Sequence, residues 1–424
     1  MRLLTILLAI SLCAVAHSDF DDKLKFKAIK DTARQGSTGI PAIAGYLQDP
    51  SAEVRREAVK AIVGIGGLSS LDPLVAACRD NDSEVQQRAT DGLVNFYLPG
   101  YVGKGWAEPV RHVGSTITGI FSQPNDQVID PDTPLHPEIA AALSRLVRDA
   151  SSVEARANAA RAAGILRLRS AVPALSEALK SKDDVLMLES LIALQKIRDA
   201  SAGAAAIFLV RDLNEKLQLA AIETVGVLRT ADAVPDLKRV LETGGKKARP
   251  AALSALGQIA DPSTRPIFAQ FLNDKDDRMR ASAAEGLARV GLPEDRPPVE
   301  KLFQAERKTS LRLSLAFALV GLGDVDLATD GPLRYLSSNL SSRSWRGVAE
   351  PFLAEQARQS QVRQAIHQML KDLGDKDELI GLARVLAASG GQDSIQPLEE
   401  LSRHPDPEVS REALRALRLV RSRS

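Results

Sequence analysis

The chain has 424 residues, of which 44% are hydrophobic and only 4% aromatic, so its core must be built from alanine and aliphatic side chains. Its length would suit two or three compact domains. The 55 basic and 54 acidic residues almost cancel. This balance argues against nucleic acid or an anionic membrane as a partner, because neither would be attracted electrostatically.

Residues 1–18 are predicted to be a secretory signal peptide. Arg2 precedes a nearly continuous apolar run that ends at Ala16, and small residues surround a cleavage point. Cleavage after Ala16 and cleavage after Ser18 both fit. The run is too short for a membrane-spanning helix, which needs about 20 residues. We therefore expect an exported protein, periplasmic or secreted, without a membrane span.

Residues 19–39 are expected to form an N-terminal capping helix, and a repeating pattern follows them. The segments "VRREAVKAIVGI" (54–65) and "MRASAAEGLARV" (279–290) each carry a small residue four positions after an apolar one. This spacing is typical of one stripe of an amphipathic helix. The small residue recurs, mostly in steps of 31, and marks a register. The register positions are Ala58, Ala89, Ala159, Ser190, Ala221, Ala252 and Ala283, followed at looser spacing by Leu315, Ala349, Ala383 and Ala413.

A second, earlier helix accompanies each of these segments. Its first turn often contains a proline, where the missing N–H has no helical partner to lose. These prolines are Pro41, Pro173, Pro235 and Pro266. Neither helix of a pair can bury its apolar stripe alone, but stacked neighbours can bury it for each other. The sequence therefore predicts an all-α fold, an elongated α-solenoid of about eleven stacked helix–turn–helix repeats.

The turn and the start of the second helix carry a family resemblance. "DPSAEVRREA" at 49–58 is echoed by "DPEVSREA" at 406–413. The chain resembles HEAT-repeat proteins, in the short bacterial form that is similar to phycobilin-lyase-type repeats. We expect such repeats over residues 40–98 and again over 138–424, where the last helix caps the stack. The lyase relatives hold a tetrapyrrole against a partner protein, but no residue set here matches a chromophore site.

The resemblance implies that turn aspartates meet a basic residue at the start of the second helix. We interpret this series as a structural ladder along the stack, because charges in register usually satisfy their own turns. The alternative is a basic stripe for an anionic partner. The ladder comprises Asp49, Arg55, Asp80, Arg156, Asp212, Asp274 and Arg280.

Catalytic and metal sites are not predicted. Some HEAT enzymes bind two irons through His-Glu pairs, but Glu follows none of the histidines here, which are His17, His112, His136, His367 and His404. Cys78 takes the helical position of Leu47 and is expected to be a small buried residue, not a nucleophile. We therefore expect no enzyme, no metal and no cofactor.

The repeating pattern is interrupted once, over residues 99–137. The step from Ala89 to Ala159 is 70 residues, and "QPNDQVIDPDTPLHP" contains too many prolines for a regular helix. The segment is either a degenerate repeat or an ordered insertion, since long loops within compact folds usually have a function. The side chains of an ordered insertion would either pack against the neighbouring repeats or contact a partner. Aromatic and arginine side chains often anchor interfaces. The candidates are Tyr101, Trp106, Arg111, His112 and Phe121.

These features predict a non-enzymatic, exported, monomeric scaffold. It would bind a protein or peptide on its curved surface, on the 99–137 insertion, or on both. One alternative is a lyase-type enzyme, or an enzyme partner, that handles a bound small molecule. The other is an envelope structural element with no dedicated ligand.

Overall fold

The structure, a computed structural model, describes residues 20–102, 128–130 and 133–423. Residues 1–18, the predicted signal peptide, lie outside this part of the chain. The chain divides into two compact units, Met1–Thr224 and Val225–Ser424. The described residues form helices and turns and contain no strand, which confirms the predicted all-α class. Within the same ranges no helix has the length and apolar character needed to cross a bilayer.

Eleven helix–turn–helix pairs follow one another in the described residues, and they are numbered repeats 1 to 11 in chain order. A helix over residues 20–33 precedes them. The first and second helices are Ile40–Gly45 and Ala52–Ile65 (repeat 1), Leu71–Ala77 and Ser83–Tyr97 (2), Pro137–Asp149 and Val153–Ile165 (3), Val172–Ala178 and Asp184–Ile197 (4), Gly203–Ala206 and Glu215–Val227 (5), Val234–Thr243 and Ala248–Ile259 (6), Arg265–Phe271 and Asp277–Val290 (7), Arg296–Ala305 and Thr309–Gly321 (8), Pro332–Ser338 and Arg346–Gln356 (9), Ser360–Asp372 and Lys376–Ser389 (10), and Ile395–Leu401 and Pro407–Arg421 (11). The prediction of stacked helical pairs is confirmed.

Short 3-10 helices border many of the first helices. They are Gly36–Gly39, Tyr46–Gln48, Leu68–Ser70, Arg169–Ala171, Ala200–Ala202, Ile207–Arg211, Ala231–Ala233, Pro262–Thr264, Pro293–Asp295 and Gln392–Ser394. The four prolines predicted at first turns occupy the first or second position of their helices. Several second helices begin with a side-chain cap, such as Asp82, which accepts the N–H groups of Glu84 and Val85.

The register found in the sequence is the core of the stack. Ten of its eleven residues are 0% exposed and Leu315 is 2% exposed. Within each unit, second helices of successive repeats pack against one another. Small residues permit a close approach: a Cβ added to Gly164 would lie 2.7 Å from the Cα of Ala193, and one added to Gly257 would lie 3.1 Å from the Cα of Gly286. Backbone therefore packs on backbone at these crossings.

Repeats 2 and 3 are direct neighbours, although 39 residues separate Tyr97 from Pro137 in sequence. Their second helices pack together, as do their first helices. Gln86 of repeat 2 accepts hydrogen bonds from the backbone N–H and the hydroxyl of Ser151, both at 2.9 Å. This packing favours an insertion at 99–137 over a degenerate repeat, which would separate the two layers.

Candidate functional site

One of the five candidate partner-binding residues, Tyr101, lies in the described part of the chain. The other four lie outside it: Trp106, Arg111, His112 and Phe121. The structure does describe both ends of the insertion, residues 98–102, 128–130 and 133–136. We call these three ranges the insertion base. Their contacts show how the segment is attached to the stack.

The outgoing end is held by Asn95, on the last turn of the second helix of repeat 2. Its Oδ1 accepts the backbone N–H groups of Gly100, at 3.2 Å, and Val102, at 3.0 Å. An amide oxygen can accept two hydrogen bonds, so one side chain fixes the path of three consecutive residues. The chain therefore leaves repeat 2 in a defined direction.

Tyr101 enters a cluster of polar side chains on the second helices of repeats 2 to 4. Burial, and next the carboxylate of Asp91, raise the pKa of Tyr101 to about 12, and Arg161 is its hydrogen-bond partner. Arg161 forms a bidentate pair with Glu189, with N–O distances of 2.7 and 3.1 Å. Asn158 donates to Asp91 at 3.0 Å. Tyr101 is thus half-buried and part of the packing at the insertion base.

The returning end is held by two backbone donors. The N–H of Ile129 donates to the carbonyl oxygen of Ile165, at the end of the second helix of repeat 3, at 3.0 Å. The side chain of Ile129 is 6% exposed. The N–H of His136 donates to the hydroxyl of Tyr97 at 3.0 Å. Both ends of the insertion are therefore pinned to repeats 2 and 3.

The four turn aspartates of the predicted ladder stabilise their own turns. Each Oδ1 accepts the backbone N–H two residues later, at 2.7 to 2.9 Å, as in an Asx turn. The pairs are Asp49 with Ser51, Asp80 with Asp82, Asp212 with Asn214, and Asp274 with Asp276. Asp49 is also 3.0 Å from Lys25 of the preceding helix, which links that helix to repeat 1.

The basic side of the ladder differs from what the resemblance implied. At this position in the second helices, which Gln86 and Arg249 hold in repeats 2 and 6, most side chains donate to a backbone carbonyl at or just after the end of their own first helix, where carbonyls lack helical partners. Examples are Arg55 to Asp49 at 3.0 Å, Gln86 to Asp80 at 2.6 Å, Arg156 to Val147 at 2.9 Å and Arg249 to Leu241 at 2.9 Å. Arg280 instead contacts Asp277 at 2.5 Å and Glu306 at 3.5 Å.

Among the seven ladder residues, all of which the structure describes, Arg55 and Asp80 form the one ion pair between members. It is bidentate, with distances of 2.7 and 2.9 Å, and joins repeat 1 to repeat 2. Arg55 forms this pair while it also donates to the Asp49 carbonyl, whereas Arg156 donates to the Val147 carbonyl and forms no ion pair with another ladder member. The ladder is therefore mainly a series of side chain-to-backbone bonds.

A second polar cluster, in repeats 7 to 9, was not predicted. Arg289 forms two bonds with Glu355, at 2.6 and 2.8 Å, and lies 5.0 Å above the ring of Phe317. Glu285 is 6% exposed and accepts from the hydroxyl of Ser314 at 2.8 Å; burial raises its pKa. The sequence did place a glutamate and an arginine within the alanine-rich segment at 279–290, and these two residues could have indicated a polar cluster. Their partners, in other repeats, were not readable from it.

The described residues carry no evident reactive centre. Cys78 is 1% exposed, and burial raises the pKa of its thiol to about 12, which disfavours the thiolate. His367 bonds to the Ser394 hydroxyl at 2.9 Å, and His404 accepts from the N–H of Asp406. Within the described ranges no three His, Cys, Asp or Glu side chains are grouped as a metal site would need.

Residues 11–94 and 244–320 match the family model of HEAT repeats. The stacked helical pairs and this match together show that the chain contains HEAT repeats. The resemblance stated from the sequence is confirmed at the level of the HEAT-repeat family. No curated protein matches the chain.

Two solved structures are similar to the chain at 18% identity. An engineered protein aligns over 90% of this chain and 98% of its own length, with a TM-score of 0.33. The complex of CpcE and CpcF of phycocyanin lyase from Nostoc sp. PCC7120 aligns over 63% of this chain and 92% of its own length, with a TM-score of 0.37. Neither similarity carries an argument about function.

Proposed function

We propose that this protein is an exported, non-enzymatic HEAT-repeat scaffold that holds a protein or peptide partner through the 99–137 insertion. The observation that carries the proposal is the insertion base. Repeats 2 and 3 pack directly on each other, and both ends of the insertion are bonded to them. A segment attached in this way to a packed stack is positioned for recognition at small entropic cost. Export rests on the apolar segment at residues 1–18.

The first experiment tests partner capture. We expect deletion of residues 103–127, with a short glycine–serine link, to abolish crosslinked capture from envelope extract while the melting temperature changes little. Trp106→Ala and Arg111→Ala should each weaken capture, because such side chains often dominate interfaces. Trp345→Ala, which changes the other tryptophan, is the matched control and should leave capture intact.

The opposite pattern would contradict the proposal. If the deletion lowers the melting temperature and leaves capture unchanged, the insertion stabilises the neighbouring repeats and does not bind the partner. If purified native protein carries a chromophore absorbance or stoichiometric metal, a lyase-type role replaces the scaffold role.

The second experiment tests export. N-terminal sequencing of the native protein should find His17 or Asp19 at the start, in an envelope or medium fraction. An intact Met1 in cytoplasmic protein would contradict it.

A further inference from the structure

An open groove lies at one edge of the first two repeats. It consists of two neighbouring cavities of about 620 and 310 Å³, and Gly66 and Gly67 line both of them. The groove crosses the C-terminal ends of three helices, which are the helix over residues 20–33 and the second helices of repeats 1 and 2. Ligand pockets in proteins have volumes of about 300–1,000 Å³, so each cavity is large enough for a ligand.

The groove is open because repeat 1 lacks side chains that later repeats have. Repeats 3 to 6 carry a side chain at a left-handed backbone position, eight residues after the register residue. These residues are Arg167, Arg198, Arg229 and Ala260, with φ of 50° to 60°. Repeat 1 has Gly66 at this position and Gly67 next to it, with φ of 69° and 82°. The two glycines therefore leave a space beyond the end of the second helix.

A third glycine widens the groove without serving the packing of the helices. At Gly164 an added Cβ would lie 2.7 Å from the backbone of the next repeat, so close packing requires glycine there. At Gly64, which lines the larger cavity, an added Cβ would meet no described atom within 4 Å. Glycine in a helix costs up to about 1 kcal/mol relative to alanine. The stack does not require Gly64, whereas a ligand whose backbone approaches the helix closely would require it.

The groove offers apolar walls and backbone acceptors. Leu74, Phe96 and Pro99 line the smaller cavity, and an apolar cavity of about 150 Å³ is enough to hold benzene. Gly64 and Ile65 belong to the last turn of their helix, where carbonyl oxygens lack helical donors. No described residue donates a hydrogen bond to these two carbonyls. The groove can therefore bind the N–H groups of a peptide backbone and enclose an apolar side chain.

The groove carries almost no charge. Arg34 is the one charged side chain among the described residues that line the two cavities, and it forms an ion pair with Asp31 at 3.0 Å. A nucleic acid would need several basic side chains to neutralise its phosphates. A charged peptide segment would lose hydration here without gaining a partner of opposite charge. The groove therefore fits an uncharged segment.

We infer that this groove binds an extended, uncharged peptide segment of the partner that carries one bulky apolar side chain. Three successive helix ends span about 16–20 Å, which is crossed by about five or six extended residues. Asn95, which holds the start of the insertion, and Pro99, which belongs to the insertion base, both line the smaller cavity. The groove is therefore continuous with the insertion base. The inference rests on the proposed function in that the ligand belongs to a protein partner.

The test is photocrosslinking of purified full-length protein with a synthetic serine–glycine heptapeptide that carries benzoylphenylalanine at its centre. Mass spectrometry locates the attachment points, which we expect within residues 33–37, 61–74 and 92–99. The same peptide with phenylalanine at its centre should compete, and the peptide with serine there should not. Gly64→Leu places a side chain across the groove and should lower the crosslink yield about tenfold, as expected for the loss of one or two backbone hydrogen bonds.

Gly45→Leu is the matched control. Gly45 ends the first helix of repeat 1, lines neither cavity, and likewise has no described atom within 4 Å of an added Cβ. This variant should keep the crosslink yield of the parent. Neither change should lower the melting temperature, because leucine forms helices better than glycine. Ala33→Leu fills the larger cavity from the opposite wall and should lower the yield as Gly64→Leu does.

Four results would overturn the inference. They are an unchanged yield in both Gly64→Leu and Ala33→Leu, attachment points outside the groove, equal competition by the serine peptide, and a higher yield after deletion of residues 103–127. The last would mean that the chain's own insertion occupies the groove. The assay contains no extract, so it can fail while partner capture succeeds. Capture that is lost on deletion but intact in Gly64→Leu would likewise overturn the inference and leave the proposed function standing.

Discussion

Single residues in this stack combine burial with charge, and the exposed fraction decides how much each ion pair contributes. Arg289 and Glu355 have side chains that are 13% and 28% exposed, whereas those of Arg421 and Glu399 are 55% and 39% exposed. Removing one member of a buried pair leaves an uncompensated charge, while a surface pair is screened by water. The two pairs should therefore respond differently to the same chemical change.

We expect Glu355→Gln to lower the free energy of unfolding by roughly 1–3 kcal/mol, because Arg289 keeps its position but loses a charged acceptor. Glu399→Gln makes the same change in the exposed pair and should cost less than about 1 kcal/mol. Urea denaturation of the two variants beside the parent measures both values. Equal costs would show that burial does not set the strength of these pairs.

Asp91 is a single residue that should make the free energy of unfolding depend on pH. Burial raises its pKa from 3.8 to about 6, against the opposing effects of Asn158, Arg161 and Arg88. Between about pH 4 and pH 6 the unfolded chain has already released this proton, while the folded chain still holds it. The contribution of Asp91 to stability therefore falls as pH rises through this window and is level above it.

Asp91→Asn should remove that decline and stabilise the protein at pH 7 by on the order of 1–2 kcal/mol. Asp82 provides the opposite case, since its bonds with Arg56 lower its pKa to about 2, and Asp82→Asn should destabilise at pH 7. Melting temperatures from pH 4 to pH 8 measure both slopes. Superimposable profiles for the parent and Asp91→Asn would contradict the assignment.

At the scale of helices, the distance between two packed helices depends on the size of the side chains where they cross. Gly164 has no Cβ, and repeat 4 uses that space. A methyl group there would meet the backbone of Ala193, which cannot rotate away as a side chain could. Helix propensity favours alanine over glycine, so packing and propensity oppose each other at this position.

We expect packing to prevail, so that Gly164→Ala destabilises by roughly 1–3 kcal/mol. Gly45→Ala is the matched control, because a Cβ at Gly45 has no atom within 4 Å. That change should stabilise by up to about 1 kcal/mol through propensity alone. Thermal melts of the two variants measure the sign of each effect. A stabilising Gly164→Ala would show that the two second helices can separate freely.

At the scale of the whole molecule, repeats depend mainly on their neighbours. In such stacks stability is close to a sum of repeat and interface contributions, so damage near one end can remain local. Ala283 of repeat 7 and Ala416 of repeat 11 are both 0% exposed. A buried charge at either site costs several kcal/mol.

We therefore expect Ala416→Asp to raise amide hydrogen exchange only near residues 395–421. Ala283→Asp should raise it in repeats on both sides of repeat 7, since an internal repeat supports two neighbours. Hydrogen exchange read by mass spectrometry separates the two patterns. Loss of protection across the whole second unit in both variants would mean that the unit unfolds as one cooperative block.

Much of the fold was readable from the sequence because its cause is local. A helix places residues three and four apart on one face, so a buried stripe leaves a periodic trace in the chain. The register, the prolines of the first turns and the number of repeats follow from that trace. Asp49 and Asp80 could likewise be placed in turns, because an aspartate caps the N–H groups just after it.

Contacts between repeats depended on the tertiary structure. Arg156 and Arg280 hold equivalent places in the sequence, yet one donates to a helix-end carbonyl and the other reaches two carboxylates. Glu355 pairs with a residue 66 positions away. The direct packing of repeats 2 and 3 could likewise be seen only in the tertiary structure, because no local sequence pattern indicates which repeats are in contact. Helical periodicity is fixed by the backbone of one segment, whereas side-chain partners are fixed by how several segments come together.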